Sequence, residues 1–100
     1  MRVKIGKYKK NGDRKVEVEI KRYDLWSLDY TLALVILPAL KEFRKNADLW
    51  DEDWLHTLDE MIWAFGQVVK DGEGDHLLED PDRVDAGLLL FGIHYRKLWT

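Results

Sequence analysis

The 100-residue chain contains no cysteine. That excludes disulfides, thiol nucleophiles and thiolate metal sites together, and it suits a reducing cytoplasm. Long hydrophobic runs are also missing. The longest, Leu32 to Leu40, is nine residues, where a membrane-spanning helix takes about 20. The opening MRVKIGKYKK has no apolar signal core. The expectation is a soluble, intracellular protein with no membrane partner. The sequence holds no internal repeat, low-complexity tract or linker. Phosphate-binding glycine loops, GxGxxG, HExxH and a nucleophile–His–acid set are absent as well. No catalytic residue and no cofactor is assigned. His56 and Asp59 have a metal-compatible i,i+3 spacing with Glu60 or His94 in support, but that spacing is common by chance and no metal is assigned.

What is present describes one small domain over residues 1–100. Hydrophobic residues make up 46% and charged residues 35%, a balance that folds rather than stays disordered. Five tryptophans bring much buried area to a small core and also serve interfaces and ring-stacking sites. The net charge of −3 conceals an asymmetry: residues 1–22 carry nine Lys/Arg against three Asp/Glu, and residues 23–100 carry seven against sixteen. A basic segment on an acidic body attracts phosphates, or its lysines protect an edge strand from aggregation.

The fold class read from the pattern is α+β: an N-terminal two-stranded antiparallel hairpin (residues 2–23) packed on a three-helix bundle, with oligomerisation expected. Asn11-Gly12 is the favoured type I′ turn dipeptide. Centred there, the hairpin pairs Val3 with Ile20, Ile5 with Val18, Lys7 with Val16, and Lys4 with Glu19. A lone hairpin is marginal in water, so its apolar face is expected to cover a helix. The first helix spans about 27–44, capped by Asp24 or Ser27, and Pro38 should kink it. It is apolar nearly all round, with Leu28, Leu32, Val35, Ala39 and Phe43 on one side and Ala33, Leu37 and Leu40 on another. So much apolar surface implies burial on most sides. The second helix spans about 51–70. A polar loop, Asp71 to Asp80, leads to a third helix over about 81–99, opened by Asp80 as N-cap and Pro81. Gly87 and Gly92 in that helix suggest close backbone approach.

Two positions break the core pattern. On the second helix Leu58, Met61, Ile62 and Phe65 fill the core face, while His56, Asp59, Glu60, Trp63 and Gln67 lie opposite. Asp59 and Glu60 are i−4 and i−3 from Trp63, so both carboxylates neighbour its indole. That set suits a stacked ring with hydrogen-bonded hydroxyls, a protein interface, or a plain contact with another element of the chain. On the first helix Asp29 projects to an apolar side. Either the free N–H groups of the first turn satisfy it, or Trp26, Ser27 and Asp29 line a pocket at the helix N-terminus.

Three segments together resemble a family of small, uncharacterised proteins encoded by tailed bacteriophages: DLWSLDYTLALVILPALK (Asp24 to Lys41), LDEMIWAF (Leu58 to Phe65) and GLLLFGIHYRKLW (Gly87 to Trp99). The basic hairpin also fits. The chain departs from that pattern in its short connection near Asn46 to Asp53 and in Gly66, where the family tends to have Glu. The resemblance implies a phage origin and action in the cytoplasm of an infected host bacterium, and it transfers no catalytic residue. By analogy with other small phage proteins, the function expected is sequestration of a nucleotide-derived immune signal without catalysis. Trp26, Trp63 or Tyr95 would stack the base, and Asp29, Asp59 or Glu60 would accept hydroxyls. Lys21, Arg22, Arg96 or Lys97 would meet phosphates. The alternatives are an inhibitor that binds a host protein and an enzyme that cleaves the signal. Nucleic acid is disfavoured by the net acidity.

Overall fold

The computed structural model describes residues 1–74 and 79–99; the expected loop between the second and third helices lies partly outside them. The chain is α+β. Strands β1 (Arg2–Tyr8) and β2 (Arg14–Glu19) form an antiparallel hairpin, followed by a 3₁₀ turn (Arg22–Leu25) and three helices: α1 (Leu28–Lys45), α2 (Glu52–Gly72) and α3 (Pro81–His94). A second 3₁₀ turn, Tyr95–Lys97, replaces the end of the expected third helix. No helix among the described residues is long and apolar enough to cross a membrane.

The hairpin corrects the expected register. Its loop has three residues, not two: Gly12 N–H donates to the Lys9 carbonyl (3.0 Å) and Lys9 N–H to the Asp13 carbonyl (2.7 Å). Only Gly12 takes a positive φ, 89°, which makes a type I turn closed by a left-handed glycine. Asn11 accepts from Asp13 N–H through its side chain instead (3.0 Å). The longer loop moves the pairing by one residue, giving Tyr8↔Arg14, and an irregularity between Ile5 and Tyr8 moves it by one more. Val3 then pairs with Val18, Ile5 with Val16 and Lys4 with Glu17. A shift of one would have set valines against glutamates. The second shift restores the alternation, because side chains repeat every two residues.

The helices form a layer with α2 in the middle. α1 and α3 each pack along α2, and not on each other. Ala33 and Leu40 of α1 meet Leu58, Met61 and Phe65 of α2 in the core. On the other flank Val84 and Gly87 of α3 are buried. A Cβ on Gly87 would sit 2.5 Å from the Ala64 Cβ and 2.7 Å from the Glu60 carbonyl oxygen, so only glycine permits this approach. Gly92 has no such role: it is exposed, with nothing within 4 Å of a Cβ. Asp51 and Asp80 cap α2 and α3 by accepting from Trp54 N–H (3.0 Å) and Arg83 N–H (3.2 Å). Neither Asp24 nor Ser27 caps α1 through its side chain. α1 continues through Pro38, which lies on its exposed side.

Of the two apolar sides expected for α1, Ala33–Leu37–Leu40 is covered by α2, and of the other only Phe43 packs against the core. Leu28, Leu32 and Val35 are exposed. The hairpin does not cover them. Neither strand comes within 8 Å, Cα to Cα, of any helix, and Ile5 (52%) and Val16 (58%) keep more than half their surface. The expectation of a hairpin packed on the bundle is therefore corrected. The hairpin is held at its open end only, and the molecule is a flat 46 × 43 × 19 Å.

Candidate functional site

The expected site residues divide into three places. The first surrounds the start of α1. A groove of about 400 Å³ is lined by Tyr23, Trp26, Ser27, Tyr30 and Leu34, with Met1 and Asp24 at its side. Its floor follows from local contacts. Asp24, buried where a helix cap was expected, accepts from the Met1 ammonium (2.7 Å) and from Lys21 N–H (2.8 Å). The ammonium, then the Lys21 amide, hold its carboxyl below the usual carboxylate value. Thr31 Oγ1 donates to the Asp24 carbonyl (3.0 Å), fastening the 3₁₀ turn to α1. The Tyr30 ring lies against Gly72 at the end of α2, where any Cβ would come within 2.1 Å of the ring. Trp26 is 78% exposed over this floor. It is an aromatic face open to a planar ring.

The charged residues predicted near this groove have mixed roles. Arg22 is exposed and makes no ion pair among the described residues, whereas Lys21 bonds Glu19 (2.6 Å). Asp29 is exposed. The expectation that it sits against apolar neighbours is corrected: the side of α1 it shares with Ile36 and Leu40 is covered further along the helix, not at its first turn.

The second place is the α2 face bearing Trp63. Its carboxylates have partners within the chain. Arg83 of α3 forks onto Glu60, with Nε to Oε2 at 3.1 Å and Nη2 to Oε1 at 3.0 Å. The same guanidinium lies over the half-buried Trp63 ring, 3.9 Å from its centroid. Arg44 of α1 forks onto Asp59 (2.9 and 3.3 Å). Arg83, foremost, depresses the Glu60 carboxyl below its ordinary value against the opposing effect of burial, and each arginine is raised in turn. This face is the seam of the helix layer, where fork–fork pairs fix α1 and α3 against α2. Helical periodicity points to neither arginine. A signal for one was present: Arg83 is a lone cation in the acidic first turns of α3, where a positive charge opposes the helix dipole.

The third place is a groove of about 280 Å³ between α1 and α3, lined by Val35, Ala39, Phe43, Phe91, Tyr95 and Leu98. Tyr95 packs edge-on against Phe91, centroids 5.5 Å apart. Arg96 is exposed beyond it. Val35 lines this groove and the first one, so the two adjoin along α1. His94 packs on Trp54 (5.6 Å), and its Nδ1 is buried without a hydrogen-bond partner among the described residues. Among the described residues no three His, Asp or Glu side chains converge on a metal-sized site.

No family model, curated protein or solved structure matches this chain.

Proposed function

We propose that the protein is a non-catalytic binding protein that captures a small nucleotide-like molecule in the groove at the start of α1. The observation that carries this is the open aromatic wall of Tyr23, Trp26 and Tyr30 around about 400 Å³, with the Arg22 cation in the adjoining turn. An aromatic face supplies sequence-tolerant stacking worth about 1–3 kcal/mol per base, and an arginine suits a phosphate. The resemblance to tailed-phage proteins supplies the biological setting. There the molecule is a nucleotide-derived signal of host defence, and holding it in the host cytoplasm blunts the response.

The test is to incubate purified protein with cyclic and linear nucleotide signals. Free signal is then measured before and after the protein is denatured. Stoichiometric loss with intact recovery is expected, and Trp26→Ala should abolish it. Recovery of cleaved product would establish an enzyme instead, and no loss of any signal would overturn the reading.

A second reading, inhibition of a host protein, is favoured by a different observation. Leu49, Trp50 and Trp99 are large, apolar and mostly exposed, Trp50 at 92%. Exposed tryptophans of this kind anchor protein interfaces. A single stoichiometric host partner, lost on Trp50→Ala and retained on Trp26→Ala, is the result that separates the two.

A further inference from the structure

Two of the apolar surfaces left exposed among the described residues lie on different elements of the fold. One is the hairpin face of Val3, Ile5, Val16 and Val18, and the other is the α1 side that runs from Leu28 through Val35 into the α1–α3 groove. They do not meet each other within the chain. We infer that they meet between two copies: the hairpin of each protomer docks on the open α1–α3 face of the other, about a two-fold axis.

Area supports a second copy. The chain exposes 7886 Å², roughly 1,900 Å² more than the ~6,000 Å² of a compact monomer of its mass. Its radius of gyration is 15.2 Å, against ~13 Å for a compact chain of this length. A surplus of that size on each protomer falls within the range that obligate homodimers bury. An isologous contact uses it twice, since the same two patches pair in both directions.

Coverage selects which surfaces pair. Hairpin on hairpin leaves the α1 side of both chains in water, and helix face on helix face leaves both hairpins in water. Hairpin on helix face is the pairing that covers both surfaces of both chains in one two-fold contact. It buries the valines and leucines that the fold leaves exposed, which removes the aggregation hazard of a two-stranded sheet with an open apolar face.

The test uses the full chain and two charge variants at exposed positions, Ile5→Lys in the hairpin and Val35→Glu in the groove. The wild type is expected to sediment at twice its 11.9 kDa mass. Each variant alone should keep its helical circular dichroism and dimerise at least about tenfold more weakly. Mixed in equal amounts, the two should form a heterodimer. One contact in it is native, and the other sets Lys against Glu.

A monomeric wild type overturns the inference. So does a mixture that stays monomeric. An effect of Val35→Glu without one of Ile5→Lys would mean helix faces pair, and the converse would mean hairpins pair. If either variant loses its helices, the cysteine-free chain permits a second measurement. Val18→Cys and Ala39→Cys on separate chains should give a mixed disulfide dimer on oxidation, and a Val18→Cys homodimer in its place would also overturn the inference.

Discussion

Arg83 lies 3.9 Å above the centre of the Trp63 ring and binds Glu60 with the same guanidinium. The tryptophan that stands apart from the α2 core is thus the platform on which α3 is fixed. Glu60 sets the plane of the guanidinium and the ring receives its face, so the three side chains act as one unit. Asp59 and Arg44 do the same for α1 without an aromatic platform.

Trp63→Ala should therefore lower stability by about 0.5–3 kcal/mol, the range of an ordinary destabilising substitution. Arg83→Gln should lower it also, and the double variant should lose less than the sum of the two. Urea unfolding of the four proteins in a double-mutant cycle measures this coupling. Strict additivity would show that the stacked geometry contributes nothing.

α3 approaches the α2 backbone closely at Gly87. Gly87→Ala places a methyl group against Ala64 and the Glu60 carbonyl, and such overpacking costs about 1–3 kcal/mol. Gly66 and Gly92 have open space where a Cβ would go. Gly92→Ala should stabilise α3 by about 0.5–1 kcal/mol through its helix propensity. Thermal melts of the two alanine variants should move in opposite directions.

Acid should loosen the seam. The Glu60 carboxyl has an ordinary value of 4.5 and is lowered in the folded chain by Arg83. Asp24, ordinarily 3.8, is lowered by the Met1 ammonium and the Lys21 amide. A carboxyl depressed by folding stabilises above its unfolded value, and that contribution is lost as pH falls through the folded value. The urea midpoint should therefore decrease on acidification from about pH 5 to pH 3. Glu60→Gln should show a smaller decrease than the wild type, because its share is already gone.

Binding and folding should separate in the groove at the start of α1. Trp26 is 78% exposed, so Trp26→Ala should leave the melting temperature within the small range of surface substitutions while removing ligand capture. Tyr30→Ala vacates the space over Gly72 and should destabilise as well. Loss of capture together with loss of stability in Trp26→Ala would mark that residue as structural.

The type and place of every major element were legible in the sequence, because they depend on local rules. Periodicity located α1 and α2 within about two residues of their ends and the start of α3, whose end falls at His94 rather than near Trp99; Asp51 and Asp80 marked two starts, and alternation with Asn11-Gly12 marked the hairpin. The helix cost of glycine points to close approach at Gly87 and Gly92 alike, and only Gly87 has it. What stayed out of reach lies between elements. The hairpin register depends on which residues the turn encloses, and a loop one residue longer was compensated by a second irregularity that only strand pairing reveals.

Periodicity also gives the angle at which a side chain leaves a helix, but not what stands at that angle. It identified two apolar sides on α1, and only packing decided that α2 covers Ala33 and Leu40 while Val35 stays open. It set Asp59, Glu60 and Trp63 apart from the core. Their partners, Arg44 and Arg83, are 15 and 23 residues away in the chain. No local pattern links residues at such separations, and the tertiary fold alone brings their charges together.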